Sequence, residues 1–76
     1  MSEPKFTYID YLSVLVKNPE GMANYEVARE LDTTATSING MVPHLMSRDF
    51  IERDKGRYKI TSKGKKKLKA ERYEVV

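Results

Sequence analysis

The stretch NYEVARELDTTATSINGMVPHLMSR, residues 24–48, decides the fold of this 76-residue chain. Its apolar residues recur with a spacing of three and four, first over residues 27–31 and again over residues 38–45, which is the period of an α-helix. Residues 32–34, DTT, separate the two runs, and their short polar side chains are typical of turns and helix caps. The pattern predicts two helices joined by a tight turn.

Each of these two helices has a predicted start and a predicted buried stripe. Asn24 is expected to cap the first helix, 24–31, with Glu26 near the positive end of the helix dipole. The second helix, 35–48, contains Pro43, which removes a backbone hydrogen bond and therefore predicts a kink. The residues expected in the core are Val27, Ala28, Leu31, Ile38, Met41, Val42 and Leu45.

A further helix is predicted before this stretch. Residues 7–17 have apolar side chains at helical spacing, Thr7 can cap their start, and Pro19 and Gly21 end the pattern. Met22, which follows the break, is expected to pack beneath the next helix. The stripe of this first helix comprises Tyr8, Ile9, Leu12, Leu15 and Val16, and together with Tyr11 it is expected to be core or a dimer surface.

A hairpin and a lysine-rich helix are predicted after the stretch. Residues 50–53 and 57–60 are short β-like runs, and the loop DKG between them, residues 54–56, predicts a β-hairpin. A final helix is predicted over about 62–73, where five lysines surround Leu68. These lysines are Lys63, Lys65, Lys66, Lys67 and Lys69.

The charge of the chain is unevenly distributed. Residues 1–38 hold three Lys or Arg and six Asp or Glu, a net charge of −3, whereas residues 39–76 hold eleven and five, a net charge of +6. Together they give the formal net charge of +3, and the isoelectric point is near 9.2. Positive charge gathered at one end indicates a polyanionic partner, although lysine-rich tails also keep small proteins in solution.

Composition excludes several classes of function. The chain has no cysteine and one histidine, His44, so it has neither a disulfide framework nor the usual zinc ligands. No apolar run approaches the length that crosses a bilayer, and residues 1–5 do not resemble a signal peptide. Ser37 and His44 lie about two helical turns apart without a positioned acid, so we expect no enzyme activity.

The order of the predicted elements carries a resemblance. Helix, short helix, tight turn, helix, hairpin and helix is the order of a winged helix-turn-helix, and residues 24–38 resemble the helix-turn-helix of MarR-type regulators. The runs FIER, 50–53, and YKITSKG, 58–64, are similar to the wing segments of MarR and PadR relatives. The resemblance implies an α+β, mainly α, fold in one domain over 1–76, with the helix-turn-helix at about 24–48, the wing at about 50–61 and a basic C-terminal helix at about 62–73.

The chain departs from these families at two positions and in its length. Asp49 stands where they usually place glycine before the wing, and aspartate can adopt a left-handed conformation there at some strain. Gly40 stands where many relatives carry an arginine that faces DNA. Because 76 residues cannot hold the long dimerisation helices of MarR proteins, we expect a minimal DNA-binding module with no cofactor and no small-molecule effector.

The resemblance implies a sequence-specific double-stranded DNA-binding protein, a small cytoplasmic transcriptional regulator that binds as a homodimer. Helix 7–17 or the tail 72–76 is the expected dimer contact. In such a fold the start of the recognition helix enters the major groove, where Asn39 can pair with adenine through both ends of its amide. The predicted DNA-binding residues are Thr34, Thr36, Ser37, Asn39, Gly40, His44, Arg53, Lys55, Arg57, Lys59 and Lys63.

Other interpretations of these residues remain open. The hydroxyl groups of residues 34–37 equally suit a helix cap, Asn39 and His44 are ordinary surface residues, and the lysine run equally suits a solvated face. Lys55 and Arg57 are assigned to DNA because charge at a hairpin tip otherwise has no packing role. Two other functions remain open, a winged-helix adaptor that binds protein and a sequence-neutral nucleic-acid-binding module.

Overall fold

The computed structural model describes the backbone of residues 7–75 and the side chains of residues 7–71. Residues 1–6, residue 76 and the side chains of residues 72–75 lie outside this description, and with them the expectations for residues 1–5 and for the dimer tail, 72–76. Four helices and one hairpin follow the predicted order. The elements are α1 (Tyr8–Val16), α2 (Asn24–Glu30), α3 (Ala35–Ser47), β1 (Ile51–Asp54), β2 (Arg57–Ile60) and α4 (Ser62–Val75).

Helix α1 begins where its capping residue predicts. The Thr7 hydroxyl accepts a hydrogen bond from the Ile9 amide at 3.2 Å, and the Asp10 carboxylate accepts one from the Thr7 amide at 2.9 Å. These two bonds satisfy amides that a helix start leaves unpaired. Tyr11, Leu12 and Leu15 are buried as core residues, but the buried face differs from the predicted stripe at two positions, because Val14 is buried whereas Val16, at the end of the helix, is exposed.

Helix α2 corrects the prediction for Asn24. The residue at the cap position is Ala23, and Asn24 is the first residue of the helix. Glu26 still stabilises this start, since its carboxylate accepts a hydrogen bond from the Ala23 amide at 2.9 Å. The side chain of Asn24 is therefore not used for capping and is available for other contacts.

Helix α3 is capped by Thr34, whose hydroxyl accepts a hydrogen bond from the Ser37 amide at 3.2 Å. The helix continues unbroken through Pro43, although proline cannot donate the usual bond to the carbonyl four residues earlier. The predicted stripe faces the core: Ile38, Val42 and Leu45 are buried and Met41 is partly buried.

The hairpin is tighter than predicted. Asp54 belongs to β1 and pairs with Arg57 across the antiparallel ladder, so the turn contains two residues rather than three. Lys55 and Gly56 both have positive φ, 55° and 82°, as a type I′ turn requires. Asp49, before β1, has a φ of 61°, so it does adopt the left-handed conformation that aspartate can take at this position.

A third, one-residue strand was missed by the sequence patterns. Met22 forms an antiparallel bridge with Tyr58, in which its amide donates to the Tyr58 carbonyl at 3.0 Å and the Tyr58 amide donates back at 2.8 Å. Met22 is buried, but it lies beside β2 as an added strand and not simply beneath α2. The loop between α1 and α2 is thereby joined to the wing.

The start of α4 is packed closely against the start of the wing. The Thr61 hydroxyl donates to the Asp49 carbonyl at 2.6 Å and accepts from the Gly64 amide at 3.0 Å. Gly64 is buried so closely beneath the Phe50 carbonyl that no Cβ fits there. Leu68, one turn later, completes the core that α1, α2 and α3 build.

Candidate nucleic-acid interface

The outward face of α3 is lined with small and polar side chains. Its predicted site residues are all exposed, as are Ser47 and Arg48 near its end. Because the opposite face is buried in the core, these side chains form one continuous surface along the helix. The predicted residues on this surface are Thr34, Thr36, Ser37, Asn39, Gly40 and His44.

The start of α3 is preorganised by its cap. The Thr34 hydroxyl donates to the Ser37 hydroxyl at 3.1 Å while it accepts from the Ser37 amide. The capping interpretation of these two residues is therefore confirmed. Because the cap leaves other first-turn amides unpaired and the helix start is exposed, a phosphate can still bind there.

Asn39 accepts a hydrogen bond from Asn24, which in turn accepts one from Tyr11. The sequence patterns did not assign either of these two residues to the site. The Asn24 Nδ2 donates to the Asn39 Oδ1 at 2.7 Å, and the buried Tyr11 hydroxyl donates to the Asn24 Oδ1 at 3.1 Å. Burial raises the pKa of the Tyr11 phenol, with a smaller contribution from Tyr58, so the phenol stays protonated. These bonds connect the core to the outward face of α3.

Gly40 lies in the middle of this outward face and has no internal reason to be glycine. A Cβ built at this position meets no atom within 4 Å, and its φ is outside the left-handed region. Glycine inside a helix lowers stability by about 0.5–1 kcal/mol relative to alanine. Contacts and backbone conformation within the protein therefore do not explain why position 40 is glycine.

The tip of the wing presents Lys55 to solvent beside Gly56, around which there is open space. Arg53 is exposed on β1, and its guanidinium lies 6.0 Å from the centre of the Tyr58 ring on β2. The Lys59 Nζ forms a salt bridge with the Asp54 carboxylate at 3.6 Å, so Asp54 partly neutralises the positive charge of Lys59 within the hairpin. These cations are consistent with a wing that meets an anionic surface.

Arg57 has a packing role that the sequence reasoning denied. Its Nη1 donates to the Gly21 carbonyl at 2.9 Å, in the loop between α1 and α2. A Cβ on Gly21 would lie 3.1 Å from the Arg57 Cβ, so the two segments touch closely. The reason given for assigning Arg57 to DNA was therefore wrong, and its contact with DNA stays a prediction.

The lysines of α4 divide into two groups. The Lys67 Nζ pairs with the Glu71 carboxylate at 2.9 Å and lies 5.9 Å from the centre of the Tyr8 ring. The hydrogen bond with Glu71 raises the pKa of Lys67, and the same bond lowers the pKa of Glu71. Exposed lysines, in contrast, occupy the outer side of the helix: Lys63, Lys65, Lys66 and Lys69.

A shallow cleft of about 270 Å³ lies between α1, α3 and α4. His44 and Arg48, one turn apart on α3, line it together with Lys67, and Phe50 contributes an aromatic wall. Arg48 was not among the predicted site residues, although its spacing of four from His44 places both on one side of the helix. The remaining lining residues are Tyr8 and Leu45.

Two kinds of site are absent from the part of the chain that the structure describes. Within residues 7–71, no group of three His, Cys, Asp or Glu side chains is arranged to hold a metal ion. None of the helices within residues 7–75 has the length and apolar character needed to cross a membrane.

The elements together define a class of fold. A capped helix follows a short helix and a tight turn, an antiparallel two-stranded wing comes next, and a fourth helix packs back on the first. This mainly helical α+β arrangement is the winged helix-turn-helix, as the sequence predicted.

A crystal structure of T. acidophilum IdeR shares this fold. The TM-score is 0.75 at 24% sequence identity, and the match covers 84% of this chain and 32% of that chain. This protein therefore spans about a third of the length of the IdeR chain, and the likeness shows the fold alone. No protein-family model and no curated protein matches the chain, so the resemblance to MarR and PadR regulators stays a prediction.

Proposed function

We propose that this protein binds double-stranded DNA in a sequence-specific manner and acts as a small transcriptional regulator. The observation that carries the proposal is the outward face of α3, where the exposed side chains of the first half of the helix are small and polar and His44, Ser47 and Arg48 follow towards its end. A major groove admits one α-helix, and the short side chains of Thr36, Ser37 and Asn39 suit contacts with base edges there. The likeness of fold to IdeR supports this interpretation only through the shared architecture.

The distribution of charge supports a DNA partner. Residues 39–76, which include the wing and α4, hold the net charge of +6. Lys55 at the wing tip and Lys63 at the start of α4 are exposed and suited to phosphate oxygens. Such contacts release counterions, so we expect the affinity to fall steeply as salt rises.

We propose a dimer as the binding form. One helix-turn-helix buries little DNA surface, and two half-sites separated by about 34–36 Å, one turn of DNA, are the usual arrangement. The described part of one subunit measures 36 × 34 × 21 Å, so its long dimensions are comparable to one turn of DNA. A cytoplasmic location and the absence of a small-molecule effector are parts of the same proposal.

A sequence-neutral nucleic-acid-binding module is the second candidate. The exposed lysines of α4 favour it, because they attract phosphates without regard to sequence. The two candidates differ in one measurable property, which is the difference in affinity between a preferred sequence and a scrambled one.

Selection of bound fragments from random double-stranded DNA at physiological salt, with the purified protein, tests the proposal. An enriched palindrome, bound by two copies in sedimentation analysis, is the expected result. Retained DNA without an enriched sequence would favour the neutral module. Failure to retain DNA would overturn both and would leave the winged-helix adaptor that binds protein.

Two matched variants separate base contacts from phosphate contacts. We expect Asn39→Ala to lower the preference at one base pair by about 1–3 kcal/mol, the value of a bidentate side-chain contact. Lys63→Ala should instead weaken binding to all sequences alike and reduce the salt slope by about one. Equal effects of both variants on every sequence would contradict specific recognition by α3.

A further inference from the structure

The side chain of Asn24 connects the core to the proposed DNA-binding face. Asn24 is the first residue of α2, and Ala23 occupies the cap position before it. The two hydrogen bonds of the Asn24 amide run instead to Tyr11 on α1 and to Asn39 on α3. One side chain therefore joins three helices.

Tyr11, the buried residue, determines the direction of the two hydrogen bonds that join it to Asn24 and Asn24 to Asn39. Tyr11 is completely buried and its hydroxyl has no other acceptor among residues 7–71, so it donates to the Asn24 Oδ1. With its oxygen turned towards Tyr11, Asn24 has its amino group directed at Asn39. The Asn39 oxygen accepts this bond, and Nδ2 of Asn39 has no acceptor among residues 7–71.

The fixed amide of Asn39 has consequences for base recognition. An amide oxygen can accept two hydrogen bonds, so the Asn39 Oδ1 retains one acceptor site after it binds Asn24. The exposed edge of Asn39 then offers one acceptor and one donor in a fixed order. Adenine presents the complementary pair in the major groove, a donor at N6 and an acceptor at N7.

We infer that Asn24, anchored by Tyr11, is a positioning residue that fixes the side-chain amide of Asn39 in the orientation that pairs with adenine. The inference rests on the proposed DNA-binding function and specifies how that function selects a base. Without the anchor, the Asn39 amide rotates about its own bonds, and ordering it on DNA reduces the affinity gained from the contact.

The test compares Tyr11→Phe, Asn24→Asp and Asn39→Ala with the natural protein on the selected DNA site. The measured quantity is the ratio of affinities for adenine and for each other base at the position where Asn39→Ala abolishes the preference. Tyr25→Phe is the matched control, because it removes a phenolic hydroxyl from a largely exposed tyrosine one residue from Asn24.

The expected results are specific to each variant. Tyr11→Phe should lower the adenine preference about three- to tenfold, a part of what a bidentate contact supplies. Asn24→Asp offers no donor, so the Asn39 amino group should turn inwards and its oxygen outwards. The preference should then relax towards cytosine, whose N4 amino group is a donor. Tyr25→Phe should leave all ratios unchanged.

Two outcomes overturn the inference and differ from each other. In the first, the natural protein prefers adenine, and neither Tyr11→Phe nor Asn24→Asp changes the ratio of affinities for adenine and the other bases. This result would exclude the positioning role and leave the proposed function intact. A natural protein with no base preference would reject the proposed function itself, and the inference with it. Thermal unfolding of each variant shows that it is folded, and if Tyr11→Phe is not, Asn24→Asp decides the test.

Discussion

Gly40 and Gly64 lie in helices of the same small protein but in opposite surroundings. Gly40 is exposed on α3 with open space around it, whereas Gly64 is buried in α4 beneath the Phe50 carbonyl. The same substitution should therefore have opposite effects at the two positions. Alanine favours a helix over glycine wherever the added methyl group fits.

We expect Gly40→Ala to raise the free energy of unfolding by about 0.5–1 kcal/mol, the difference in helix propensity. Gly64→Ala should lower it by about 1–3 kcal/mol, because the backbone or its neighbours must move to admit the methyl group. Urea unfolding followed by circular dichroism measures both changes. A destabilising effect of Gly40→Ala would contradict the open surroundings of position 40.

Gly40→Ala also tests whether a partner approaches α3 closely. If DNA lies against this helix, the methyl group should weaken binding to the selected site even though the variant is more stable. The expected loss is about 1–3 kcal/mol of binding free energy, the range for overfilling a packed contact. Titration of the labelled site by fluorescence anisotropy measures this loss. Unchanged affinity would place Gly40 away from the DNA.

At the scale of elements, the wing contains Lys55, which we propose to bind DNA, and Arg57, which contacts the loop before α2. Lys55 begins the type I′ turn, where asparagine before glycine is the preferred sequence. We expect Lys55→Asn to maintain or slightly raise thermal stability and to weaken DNA binding at all sequences, with a salt slope lower by about one. Affinity measured at several salt concentrations tests the slope.

Arg57→Ala provides the contrast within the same hairpin. Its hydrogen bond to the Gly21 carbonyl is a charge-assisted bond, and such bonds stabilise proteins by about 1.5–3 kcal/mol when they are buried. Because Arg57 is exposed, we expect a smaller loss, about 1 kcal/mol, in urea unfolding. If Arg57→Ala left stability unchanged and lowered DNA affinity, the original assignment of Arg57 to DNA would be correct.

We expect the contact of α4 with α1 to depend on pH. The Glu71 carboxylate accepts from Lys67 and from the Tyr8 hydroxyl, and its pKa lies below the ordinary 4.5. A carboxyl group with a lowered pKa stabilises the folded state above its unfolded pKa, and this contribution disappears as pH falls through the folded pKa. The pair should therefore stabilise the protein at neutral pH and not in acid.

We expect Glu71→Gln to lower the melting temperature slightly at pH 7 and to melt like the natural protein once the pH is well below 4.5. Glu30→Gln is the control, because Glu30 is exposed on α2 and forms no salt bridge within the described residues. A difference between Glu71→Gln and the natural protein that persists in acid would mean that the hydrogen bonds matter more than the charge.

At the scale of the whole molecule, the features that sequence predicted are those built from neighbouring residues. The buried stripe of α3, the cap at Thr34 and the left-handed Asp49 each depend on a few residues close in the chain. The exposed face of α3 followed directly from the stripe, because residues that do not face the core face solvent. The fold and this part of the candidate site were therefore predictable.

The features that sequence did not predict join distant segments. The bridge between Met22 and Tyr58 and the bond from Arg57 to Gly21 depend on where the loop after α1 meets the wing. The role of Asn24 was missed for the same reason, since Asn39 is 15 residues away on another helix. The spacing of residues along the sequence does not reveal a contact between two helices. Asn24 was therefore predicted to cap its own helix.

The bridge between Met22 and Tyr58 also has a consequence for the order of events in folding. The wing closes through a two-residue turn, whereas its docking closes a much longer loop, with Gly21 and Arg57 being 36 residues apart. Loop closure loses more entropy as the loop lengthens, so we expect the hairpin to form first and to dock late.

Stopped-flow kinetics of Gly21→Ala test this order. Gly21 has a φ of 101° and touches Arg57, so alanine there strains the docked state. If docking follows the rate-limiting step, the variant should unfold faster and fold at nearly the natural rate, and slower folding would contradict a late docking. Late docking would mean that a newly made chain presents its wing to solvent, unattached, before the proposed DNA-binding surface is complete.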